Sequence, residues 1–111
     1  MHIFARRYPY GGTPLWAAAE KGHTDIVRLL LNASADVDKA RTDIGATPLY
    51  VAAHQGHTDS VRLLLDANAD VDKARTDTGA TVAATPLCVA AQEGHTDIVR
   101  LLNMADMLVQ F

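Results

Sequence analysis

The chain has 111 residues, a formal net charge of −3 and a hydrophobic content of 49%. The length fits one domain, and the apolar content excludes a disordered chain. The weak acidic balance excludes a general nucleic-acid or membrane-surface binder, which shows a basic patch.

The lone cysteine, Cys88, rules out an internal disulfide and fits a reducing compartment. No apolar run reaches signal-peptide or membrane-spanning length, so an intracellular, cytoplasmic location is expected.

Residues 1–10, MHIFARRYPY, read as an N-terminal extension. Ile3, Phe4, Tyr8 and Tyr10 can lie over the unit that follows, or the segment can fray as termini do. Thr13-Pro14-Leu15 then opens a unit that returns at Thr47-Pro48-Leu49 and at Thr85-Pro86-Leu87, 34 and then 38 residues apart. Self-similarity at this period marks a stacked repeat, with units at 11–44, 45–78 and 79–111.

Each unit follows one plan. Thr13 is suited to cap a helix through its hydroxyl, and Pro14 fits the first helical position because its missing N–H is not needed there. The helix is expected to run to about Lys21 and to stop at Gly22, which can take the left-handed conformation. Gly56 and Gly94 repeat the stop. Thr24, Thr58 and Thr96 are expected to cap a second helix, with Asp25, Asp59 and Asp97 at its positive end.

Ile26, Val27, Leu29, Leu30 and Leu31 make the second helix too apolar for cover on one side, so it needs a neighbour on each. The first helix offers Leu15, Ala18 and Ala19 instead. A thin helix beside a thicker one makes a wedge, and stacked wedges curve toward the first helices. The polar run 36–45 forms turns and projects as a loop or short hairpin. The fold class is therefore all-α: a solenoid of stacked helix–turn–helix pairs joined by projecting loops.

The units GATPLYVAAHQGH, DSVRLLL and NADVD resemble the ankyrin repeat family over about residues 11–103. That resemblance implies a helix–turn–helix–hairpin solenoid that is not catalytic, needs no cofactor and binds other proteins on its hairpin tips and first helices. The chain departs from the family pattern at several positions. Trp16, Tyr50 and Cys88 replace a histidine, and Ser34 and Asn68 replace a glycine. Ser60 stands where Ile26 and Ile98 stand and leaves its repeat short of an aliphatic group.

After Leu102 the third unit decays into NMADMLVQF without a polar capping repeat. Met104, Met107, Leu108, Val109 and Phe111 either extend the helix as cover or stay exposed. Marginal stability or self-association through the uncapped ends is expected.

The in-register His23, His57 and His95 invite a metal reading. Packed helices lie about 8–10 Å apart and zinc–nitrogen bonds are about 2 Å, so adjacent rungs cannot share an ion. Turn histidines bonded to nearby backbone are the better reading, and no metal site is expected. Cys88, His95 and Asp97 can be sketched as a nucleophile, base and orienter. However, sister repeats place Trp16 and Tyr50 where Cys88 stands, which no catalytic position tolerates. Asn32-Ala33-Ser34 matches a glycosylation sequon, but it falls at a helix end and reads as chance.

Units one and two differ at eight of 34 aligned positions, four of them on or beside the outer turn of the first helix. A fixed scaffold with a varying inner surface is what recognition requires, although drift leaves the same trace. The expected protein-binding set is Trp16, Glu20, Lys21, Arg41, Asp43, Ile44, Tyr50, His54, Gln55, Arg75, Asp77, Thr78, Gln92 and Glu93. Trp16 and Tyr50 are its hot spots, though packing between repeats competes for both. Nucleic acid and membrane are not expected partners. The alternative is a structural spacer, or a piece of a longer array, with no partner of its own.

Overall fold

A computed structural model describes residues 12–73 and 85–110, with the side chains of 108–110 left aside. The N-terminal extension, Arg75, Asp77 and Thr78, the four residues 81–84 that lengthen the second spacing, and Phe111 lie outside the described residues. Among those described there are six helices and no strand: α1 (Pro14–Lys21), α2 (Thr24–Asn32), α3 (Pro48–Gln55), α4 (Thr58–Asp66), α5 (Pro86–Gln92) and α6 (Thr96–Gln110). None of them is long and apolar enough to cross a membrane.

Local chemistry sets the first helix of every repeat. The hydroxyls of Thr13, Thr47 and Thr85 accept from the backbone N–H of Trp16, Tyr50 and Cys88 at 3.1, 3.1 and 3.2 Å. Proline follows each cap. Gly22, Gly56 and Gly94 adopt left-handed φ values of 74°, 83° and 77°, a conformation that needs no strain only in glycine.

The second helices begin differently from expectation. Thr24 and Thr58 are the first helical residues, and the capping positions fall on His23 and His57, with no side-chain cap. His23 sits at φ −80°, ψ 81°, and the N–H of Thr24 donates to the carbonyl of Gly22 at 2.9 Å. That is an inverse γ-turn centred on histidine. It uses up the residue between the glycine stop and the helix, so the threonine arrives one position too late to cap.

At their far ends α2 and α4 close with paired bonds. The N–H of Ser34 donates to Leu31 and that of Ala35 to Leu30, both at 3.0 Å, and Asn68 and Ala69 repeat the pattern. Ser34 and Asn68 take the left-handed φ of 67° and 66° that the closing motif demands. α6 makes no such turn. Its run of Asn, Met, Ala, Asp and Met contains no glycine or proline, and it continues to Gln110.

The core runs along the stack. Ala19, Ala52, Ala53 and Ala90 are fully buried between first helices, and Val27, Val61, Leu64 and Ile98 between second helices. Neighbouring first helices pack more closely than neighbouring second helices, as methyl-sized side chains allow. Ser60 is fully buried at the place of Ile98, and its hydroxyl has no hydrogen-bond partner among the described residues. In the helix extension at the C-terminal end Met104 and Met107 stay exposed, at 58% each, while the side chains of Leu108 and Val109 lie outside the described residues.

Candidate functional site

The last turns of α1, α3 and α5 bring Glu20 and Lys21, His54 and Gln55, and Gln92 and Glu93 into one row. Lys21, His54, Gln55, Gln92 and Glu93 are exposed and Glu20 is half-buried. Each pair stands over a buried alanine and just before a left-handed glycine. The row therefore rests on the most tightly packed part of the stack, while its own chemistry changes from rung to rung.

The histidines fix the spacing of these rungs. Nε2 of His57 pairs with the carbonyl of Glu20 at 2.9 Å, and Nε2 of His95 with the carbonyl of His54 at 3.1 Å. Each ring lies over the preceding repeat's glycine, where a Cβ at Gly22 or Gly56 would meet the imidazole at 2.6 or 2.7 Å. The turn-histidine reading holds, with one change: the backbone partner belongs to the neighbouring repeat. These rings are spent on joining repeats, and no group of three or more potential ligands that could hold a metal ion occurs among the described residues.

The loop after α2 forms the second part of the surface. Arg41 grips Asp43 with a two-pronged ion pair, its Nε donating to Oδ1 at 2.9 Å and Nη2 to Oδ2. The Arg41 hydrogen bonds hold the Asp43 carboxyl below the ordinary carboxylate range. The guanidinium lies 4.7 Å from the centre of the Trp16 ring, a cation–π distance. Ile44 beside it is half-buried. Asp38 ties this loop to the next, accepting from the N–H of Asp70 at 3.0 Å.

Trp16 and Tyr50 are only 6% and 5% exposed. Trp16 Nε1 donates to the carbonyl of Ala46 at 2.9 Å, so the indole is wedged under the start of the second repeat. Both rings lie beneath the surface on which they were expected as hot spots. At Trp16 the cover comes from the start of the second repeat and from the Arg41 guanidinium. Cys88, at the same position of the third repeat, is exposed. The missed signal was the donor: a tryptophan inside a repeat must find an acceptor for its N–H when buried.

The family model described as "Ankyrin repeats (3 copies)" matches residues 3–77, and the one described as "Ankyrin repeat" matches residues 84–110. The first match starts inside the stretch read as an extension. No curated protein matches this chain significantly.

Proposed function

The chain belongs to the ankyrin repeat family, whose repeats are generally protein-interaction modules, and from that premise we propose that it binds a partner protein along its first-helix flank. The supporting observation is the exposed row Lys21, His54, Gln55, Gln92 and Glu93, in register on an unchanging alanine floor. A rigid floor lowers the entropy lost on binding, and side chains that differ at each rung give one orientation and one register.

Arg41, Asp43 and Ile44 extend the same surface onto the loop, and Arg75, Asp77 and Thr78 are proposed to continue it. Trp16 acts from below by anchoring the guanidinium of Arg41, and Tyr50 is buried at the same position of the second repeat. Charges at the rim choose the partner and steer its approach. No step of chemistry is assigned to the site, and no cofactor.

The test uses the whole chain as bait for affinity capture with mass spectrometry. Lys21→Glu, His54→Glu and Gln92→Lys are combined on the flank; Arg28→Glu and Arg62→Glu are combined on the exposed outer helices. Loss of a captured protein with the flank set and retention with the outer set supports the reading. The opposite pattern overturns it.

A further inference from the structure

Every internal joint of the stack is made from two unlike faces. The preceding repeat gives a forward face: the glycine stop, a small alanine and the side chain before it, as in Gly56, Ala53 and Tyr50. The following repeat gives a backward face: the histidine and the second-helix positions that point at its predecessor, as in His95, Ile98 and Leu101. The chain makes this joint twice.

At the two ends of the described stack one face of each kind is exposed among the described residues. On the first repeat, Ile26 is 47% and Leu29 67% exposed, whereas Ser60 and Ile98 at the first position are fully buried. His23 is exposed and its ring has no partner among the described residues. On the same repeat a groove of about 270 Å³ is lined by Pro14 and Leu15 of α1 and by Leu30 of α2 with Ala33 just past its end. On the third repeat, Cys88 and Ala91 are exposed, and a Cβ at Gly94 would meet nothing within 4 Å. Gly94 nevertheless holds the same left-handed turn as the two glycines that are roofed by histidine.

We propose that these bare faces take each other: the backward face of one copy stacks on the forward face of a second, with His23 of the incoming copy roofing Gly94. The occupant is another copy of this chain because the pairing continues an interface the chain already builds, with the same residue types in the same register. The contact is heterologous, so it does not close on itself and grows into open rows. It is weaker than an internal joint. Asn103 replaces the leucine found at Leu31 and Leu65, α6 runs on where the Asp38–Asp70 bridge has its counterpart, and no covalent link raises the local concentration.

Sedimentation equilibrium of the full chain in reductant tests this. The weight-average mass rises with concentration and passes the dimer without a plateau. Leu29→Glu blocks the backward face and Ala91→Glu the forward face, both at exposed positions, with Ile26→Glu and Cys88→Arg as second choices and circular dichroism checking the fold. Each single variant stays monomeric, and an equal mixture forms dimers and nothing larger, because one good face of each kind remains. A wild-type chain that is monomeric at every concentration overturns the proposal. So does an Ala91→Glu chain that still self-associates, which would mean backward faces pairing with each other, or a mixture that stays monomeric.

Discussion

From their Thr-Pro starts to Leu64 and Leu102 the second and third repeats read nearly alike, yet they are different physical objects. Tyr50 and Ala53 in the second are buried, while Cys88 and Ala91 at the same positions in the third are exposed. Gly56 is roofed by an imidazole, and Gly94 opens onto empty space at almost the same φ. The difference comes from the neighbour rather than the repeat. In a stack of this kind, what a residue does depends on whether another unit follows it.

The strongest way to break the comparison is to remove an interior leucine. Leu64→Ala, fully buried, is expected to lower stability by about 2–5 kcal/mol. Leu29→Ala, 67% exposed on the first repeat, is expected to change it by less than about 0.5 kcal/mol. Urea denaturation of both chains checks the contrast, and similar losses would mean the first repeat is covered after all.

The glycine pair sharpens it further. Gly56→Ala must bear the left-handed strain of about 1–2 kcal/mol and also displace the His95 ring, 2.7 Å from the new Cβ, with its hydrogen bond worth about 1 kcal/mol. Gly94→Ala bears the strain alone. A measured gap of about 1 kcal/mol between them is the contribution of the histidine roof.

Ser60→Ala runs the other way. It removes a buried hydroxyl without a partner and should stabilise the chain by about 1–2 kcal/mol, seen as a higher urea midpoint with an unchanged slope. A destabilised variant would show that the hydroxyl has found an acceptor.

The smallest effect is local and acid-dependent. Arg41 holds the Asp43 carboxyl below its ordinary value, so the folded loop keeps the charge to lower pH than the unfolded chain does. That contribution is present above the unfolded pKa of about 3.9 and is lost as pH falls through the lower, folded value. Trp16, the single tryptophan, lies under Arg41 and reports the change as a shift in emission. Asp43→Asn is expected to abolish that acid step while leaving the melt at neutral pH nearly unchanged.

Much of this was legible in the letters, where the cause is local. The Thr-Pro starts, the glycine stops and the left-handed Ser34 and Asn68 depend on a few adjacent residues, and they stand where the repeat pattern put them. The histidines, the two aromatic rings and Thr24 depended on partners or turns that a short window does not contain. Glu20 lies 37 residues from His57, and the acceptor for Trp16 lies 30 residues on. Variation between Trp16 and Tyr50 looked like a changing contact surface. The structure shows the Ala46 backbone and the Arg41 guanidinium against Trp16, a buried Tyr50 and an exposed Cys88.

The backward reach of the histidines has a consequence for how the chain is made. A unit leaving the ribosome holds its own helices by caps and stops, but its glycine turn stays unlocked until the next unit's imidazole emerges. With 37 residues between Glu20 and His57, that wait is about 2–7 s at ordinary elongation rates. During synthesis the newest unit is thus always the loose one, and firmness travels along the nascent protein one turn of translation behind its leading edge.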